Sequence, residues 1–199
     1  TGADSKYQQG GSELQALGLT AGAGQEITVY AQGIPAGQTV TLYATQFNAE
    51  ASAWRAEIGK LQNGRNVLTV PKIGSQNTGR GGSLYFTYSG SSPESIRLHV
   101  RRAEDIPVLD LSGWNATTPA DRTAIDAYIQ ELNAYMTAHP MGSPTTDWRN
   151  VTEIATPSVL LSLPAAAVSV GLKSGADQLD NSVQAWEQIM SICRTVQGI

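Results

Sequence analysis

Up to Leu111 the apolar residues of this chain recur mainly with period two; beyond Trp114 they recur at the spacing of a helix. A switch from one period to the other fixes the class, because a period-two stretch buries one face of a sheet while a 3.6-residue period buries a helix stripe. The β-textured runs are EITVYA, QTVTLYATQ, NVLTVPKIG, SLYFTYSG and SIRLHVRRAEDIPVLDL, separated by turn signals such as Gly33-Ile34-Pro35-Ala36-Gly37 and Asn63-Gly64. In TVTLYATQ, Val40, Leu42 and Ala44 alternate with Thr39, Thr41, Tyr43 and Thr45, which predicts a half-buried antiparallel strand in a β-sandwich.

After the switch, Thr117-Thr118-Pro119-Ala120-Asp121 places a capping threonine, a proline at the first helical position and an acid in the first turn. Ile125, Tyr128, Ile129, Leu132, Tyr135 and Met136 then mark an amphipathic helix up to His139-Pro140. Thr156-Pro157 repeats the start signal, predicting a buried helix over SVLLSLPAAAVSVG, kinked at Pro164 and ended by Gly171. Leu179, Val183, Trp186, Ile189, Met190 and Cys193 mark a third helix. The expected class is α+β: a flexible end or linker at 1–18, an antiparallel β-sandwich at 19–113, and at 114–199 a small helical segment that opens a larger helical domain.

Charge narrows the partners. With 13 Lys+Arg against 17 Asp+Glu and a net charge of −4, there is no overall basic field for binding nucleic acid by counterion release. The longest apolar tract, Val159 to Val170, is interrupted by Ser162, Pro164 and Ser169 and is too short for a bilayer, so no transmembrane segment is expected. The single cysteine, Cys193, excludes an internal disulfide and reads as a small core residue near a helix end.

Gly79, Gly81 and Gly82 precede Leu84, Tyr85, Phe86 and Tyr88. A phosphate cradle needs such glycines to open a helix, whose free N–H groups do the binding; here they open a strand, where glycine serves positive φ or a bulge. The two histidines, forty residues apart, read as a solvent-facing strand residue (His99) and a helix-end cap (His139). No H-E-x-x-H, C-x-x-C or G-x-S-x-G occurs, so neither catalytic nor metal-binding residues are assigned. Asp121, Asp126 and Glu131 read as a solvated helix face, and Arg101-Arg102-Ala103-Glu104-Asp105 as a solubilising strand end. Asn115-Ala116-Thr117 and Asn150-Val151-Thr152 match the glycosylation acceptor.

Aromatic residues are the remaining binding candidates. Trp54 offers a ring on which a sugar can stack, with Arg55 to reach its hydroxyls or a carboxylate, and Tyr85 and Tyr88 are the further surface candidates. The commoner role of such a tryptophan is the sandwich core.

The order of motifs resembles the region before the active site in enhancin-like, or mucinase-type, zinc metallopeptidases. The segments that carry the resemblance are Leu19 to Val29 (LTAGAGQEITV), Gly81-Gly82-Ser83-Leu84-Tyr85-Phe86, Asp105 to Asp110 closed by Trp114, and Asn150 to Ile154 followed by Val159 to Pro164. The resemblance implies secreted or surface enzymes that cut O-glycosylated, mucin-like proteins with a zinc held by H-E-x-x-H and a more distant glutamate. There the metal polarises the scissile carbonyl and the motif's glutamate activates water. Those residues do not occur in this sequence, so the resemblance implies a non-catalytic accessory portion that supports the catalytic domain and helps place substrate. Zinc is expected in the parent protein and not in this chain. The implied partners are the remaining peptidase domain and O-glycosylated host proteins or glycans. The alternative from another class is a carbohydrate-binding module or adhesin without enzymatic activity.

Overall fold

The computed structural model describes residues 14–46, 54–73, 81–90, 96–115, 118–140, 147–172 and 175–197. In chain order these form β1 (Gln15–Ala21), β2 (Glu26–Gln32), β3 (Val40–Thr45), β4 (Arg55–Leu61), β5 (Gly64–Thr69), β6 (Gly82–Tyr88), β7 (Arg97–Arg101), β8 (Glu104–Asp105), β9 (Val108–Asp110), α1 (Arg122–Ala138), β10 (Thr152–Ala155), β11 (Leu160–Leu163), α2 (Ala165–Gly171) and α3 (Ala176–Gln197). The class is α+β, as the change of period predicts. Two compact units result: the described parts of 13–106 with 141–151, and those of 107–140 with 152–199.

The first unit is a sandwich of a five-stranded sheet, β4-β3-β6-β1-β8, and a three-stranded sheet, β5-β2-β7. Ile27, Val29, Val40, Leu42, Ala44, Leu84, Val70 and Ile73 fill the space between them at 1% exposure or less. At roughly 1.5–3 kcal/mol for each large aliphatic side chain fully buried, this core is the main force holding the two sheets together. β3 differs from expectation, since Thr41 and Thr45 are buried along with Val40, Leu42 and Ala44. Thr45 Oγ1 donates to Ser83 O at 3.3 Å, which satisfies its hydroxyl inside the structure. β1 begins at Gln15, within the stretch expected to be a loose end.

Gly81 and Gly82, at the entry of β6, answer to close backbone approach and not to positive φ, while Gly79 lies outside the described residues. A Cβ on Gly82 would stand 1.9 Å from Thr45 O, and one on Gly81 would stand 1.7 Å from Ala21 O. Only hydrogen fits at either place. Residues 147–151 return to this unit: Trp148 O accepts from Thr20 Oγ1 at 2.8 Å, and the Arg149 guanidinium grips the Glu104 carboxylate at 2.6 and 2.7 Å. Gly22 leaves room for the Trp148 indole, which would lie 3.2 Å from an added Cβ.

In the second unit β10 pairs antiparallel with β11 and parallel with β9, and the helices bury Ile125, Tyr128, Leu132, Leu179 and Val183 against Leu109 and Ile154. Thr152 Oγ1 donates its one hydrogen to Pro107 O at 2.8 Å and accepts from the Tyr128 hydroxyl at 2.8 Å. Burial pushes the Tyr128 phenol up to about 12, against a smaller opposing effect of the Thr152 hydrogen bond.

Two sequence expectations are corrected here. The segment after Thr156-Pro157 is a tight turn and a strand, not a helix. Thr156 Oγ1 accepts from Val159 N at 3.1 Å, Thr156 N donates to Val159 O at 2.8 Å, and the chain returns as β11. Pro164 accordingly stands at the N-cap of α2, where it starts a short helix instead of kinking a long one. The cap of α1 is Asp121 and not a threonine before Pro119: the Asp121 carboxylate accepts from Thr123 N at 2.9 Å and Ala124 N at 3.2 Å. Thr117 lies outside the described residues. His139 is the C-cap, its N–H donating to Tyr135 O and its ring packed 4.7 Å from that of Tyr135.

Candidate functional site

The sequence-predicted binding residues divide in the sandwich. β3 and β4 form a hairpin whose register shifts between Leu42 and Tyr43, so that an extra residue on β4 lies between the partners of those two. Such a bulge turns the following residues relative to the rest of the strand. Beyond it the hairpin continues to Thr45↔Arg55, with Trp54 O accepting from Gln46 N at 2.6 Å. Arg55 therefore stands diagonally from Tyr43 on one face. Its guanidinium lies 5.0 Å from the Trp54 ring centroid and 5.5 Å from that of Tyr43.

Trp54 is 36% exposed, so the expectation of a buried core tryptophan gives way to a ring at the surface with a cation held against it. This combination suits a sugar: apolar ring faces stack on C–H groups while the guanidinium hydrogen-bonds hydroxyls or a carboxylate. Tyr43 completes the cluster and was not singled out from sequence, because its contact with Arg55 depends on the bulge.

Tyr85 does not join it. It pairs with Tyr43 across β3 and β6 on the same face, but at 2% exposure it has no ring surface to offer a ligand. Tyr88 pairs with Val40 and packs against the sandwich core. Tyr85 is thereby corrected as a surface candidate, being covered despite its outward position, while Tyr88 is half-buried because strand alternation turns it inward with Leu84 and Phe86.

The remaining candidates find structural places. His99 is exposed on β7, with its ring 6.3 Å from that of Tyr30. Asn150 is 6% exposed and Thr152 is fully buried, so that acceptor sequence offers no accessible amide for glycosylation. Cys193 is half-buried on α3. Among the described residues no three His, Cys, Asp or Glu side chains gather closely enough to hold a metal ion, and no helix is long and apolar enough to cross a membrane. The described residues thus do not fit a zinc site.

No family model matches the chain, and no curated protein matches it in sequence. Solved structures do. The M60 catalytic domain of Clostridium perfringens ZmpC, in complex with the sialyl T antigen, superposes with a TM-score of 0.66 at 23% identity, over 92% of this chain and 35% of that one. The ZmpB metallopeptidase of the same organism gives 0.60 at 23%, over 81% and 31%. The IMPa metallopeptidase in complex with T-antigen gives 0.54 at 19%, over 80% and 17%. The fold is that found within M60 catalytic domains. The likeness inferred from the sequence motifs is therefore present in the architecture, and the chain spans about a third of the length of the first two structures.

Proposed function

We propose that this chain is the sandwich and the first part of the helical domain of a zinc metallopeptidase that cleaves O-glycosylated, mucin-like proteins. Its role is to support the catalytic domain and help place substrate, with zinc ligands and general base supplied by another part of the parent protein, acting outside the cell. The observation that carries this reading is the ZmpC likeness over 92% of the chain, reaching both units. The exposure of α3 supports it. Ala176, Leu179 and Val183 are buried in the first half of that helix, while Ile189, Ile192 and Val196 stand 56%, 63% and 81% exposed in the second. Three aliphatic residues at helical spacing make a stripe of the kind that packs on further protein.

The test is cleavage of a mucin-type O-glycopeptide by the native protein and by the 199-residue chain. The native protein should cleave it, lose activity to a chelator and regain it with zinc; the 199-residue chain should not cleave. Proteolysis by the 199-residue chain, or a native protein that neither binds zinc nor cleaves, contradicts the reading.

The exposed Trp54 beside Arg55 favours a second reading, a carbohydrate-binding module or adhesin without enzymatic activity. Loss of glycan binding on Trp54→Ala, in a native protein without peptidase activity, would select it.

A further inference from the structure

The outer face of the β5-β2-β7 sheet concentrates positive charge in a chain whose net charge is −4. Register sets Arg65, Tyr30 and His99 opposite one another in a single row across the three strands, with Arg101 opposite Thr28 in the next row and Arg97 opposite Gln32 on the other side. Alternation turns Ile27, Val29 and Ala31 into the core and leaves these side chains outward. Neighbouring strands lie about 4.8 Å apart and same-face residues on a strand about 7 Å apart, so the three arginines and His99 surround Tyr30 within roughly 10 Å.

Tyr30 is 40% exposed, and its ring and that of His99 are inclined by 31°. A groove of about 440 Å³ runs beside them, lined also by Gln32, Asn63 and Arg97. Among the described residues, Glu26 is the one carboxylate carried outward by these three strands, and it is already paired with Arg102 at 2.7 Å.

We propose that this face binds an anionic glycan, whose sugar ring lies against Tyr30 while Arg65 and Arg101 hold its sulfate or carboxylate groups. Guanidinium forks match both anions, and one tyrosine ring with the smaller His99 imidazole beside it fits a single charged sugar. A nucleic acid strand is a poorer fit, since it uses successive aromatic platforms and this face exposes one tyrosine. An anionic bilayer is poorer too, since Val67 is the one large aliphatic residue exposed on it and provides little to insert. The inference does not rest on the peptidase reading, because it concerns the sandwich alone.

The experiment is titration of the 199-residue chain at physiological ionic strength with dextran sulfate, oligosialic acid, neutral dextran, single-stranded DNA and phosphatidylserine vesicles. At least one of the two anionic glycans should bind and neutral dextran should not; Tyr30→Ala, and Arg65→Ala with Arg101→Ala, should each weaken binding at least about tenfold with no change in melting temperature. Lys60→Ala, on exposed β4 of the other sheet, should leave binding unchanged. Binding of dextran sulfate alone assigns sulfate esters, and binding of oligosialic acid alone assigns carboxylates. The proposal is overturned if neither glycan binds, if both sets of variants bind like the parent, or if DNA or vesicles bind as tightly as the glycans.

Discussion

Ser158 and Glu187, on the β10–β11 turn and α3, are joined twice: the Ser158 amide and hydroxyl both donate to the Glu187 carboxylate, at 2.9 and 2.7 Å. Thr156 Oγ1 donates to the same carboxylate at 2.5 Å, and Arg194 Nη2 donates to Ser158 Oγ at 2.6 Å. A glutamate at 7% exposure is thus satisfied by the turn that replaces the expected helix. Removing it leaves buried donors without acceptors, so Glu187→Ala should cost about 2–4 kcal/mol, measured by urea unfolding, and Glu187→Gln less.

The same contact sets a pH dependence. Burial by itself would raise the Glu187 carboxyl, but the hydrogen bonds from Thr156 and Ser158, with the charge of Arg194, together hold it below its ordinary value of 4.5. A depressed folded-state value contributes stability that is full above the unfolded value and lost as pH falls through the folded one. The stability gap between the parent and Glu187→Gln should therefore be constant near neutrality and close as the medium is acidified below 4.5. Thermal melts at stepped pH check this; a gap that widens on acidification would contradict it.

Gly82→Ala should disrupt the entry of β6. The new methyl would meet Thr45 O at 1.9 Å, and backbone on a central strand cannot yield as a flexible side chain does. A loss above about 3 kcal/mol, or failure to fold, is expected. Gly113→Ala, with no atom within 4 Å of the added carbon, should stay within about 0.5 kcal/mol in the same unfolding experiment.

Trp54→Ala should cost less than a core tryptophan does, about 1–2 kcal/mol, because the residue is 36% exposed and stands outside the buried core cluster, with Arg55 stacked 5.0 Å from its ring. A loss of about 3–5 kcal/mol in urea unfolding, the range typical of a core tryptophan, would return Trp54 to the core.

Ile192→Asp should leave the 199-residue chain folded, since that side chain is 63% exposed. In the native protein the same change should lower stability or activity, because the proposed function has this stripe covered by further protein. Equal behaviour of the two forms would argue that nothing packs there.

Legibility followed the range of the determining contacts. The β-rich runs of β2, β3, β6 and β7 and the stripe of α1 were visible because period and burial are local properties. Thr156-Pro157 misled because threonine followed by proline begins a helix and also a turn, and LLSL is a short apolar run that either element accepts. Trp54 and Arg55 were visible as a pair, whereas Tyr43 joins them only through a bulge. The Arg65, Tyr30 and His99 row was hidden for a stronger reason: its members lie 35 and 69 residues from Tyr30 in sequence, on strands whose pairing no local pattern specifies.

The intact mass of the native protein, with peptide sequencing across and beyond Ile199, decides whether this chain is joined to a zinc peptidase domain. The account predicts a mass well above 21.1 kDa and, after Ile199, an H-E-x-x-H helix followed by a more distant glutamate. A native protein of 21.1 kDa ending at Ile199 would contradict it and leave a glycan-binding or scaffolding module.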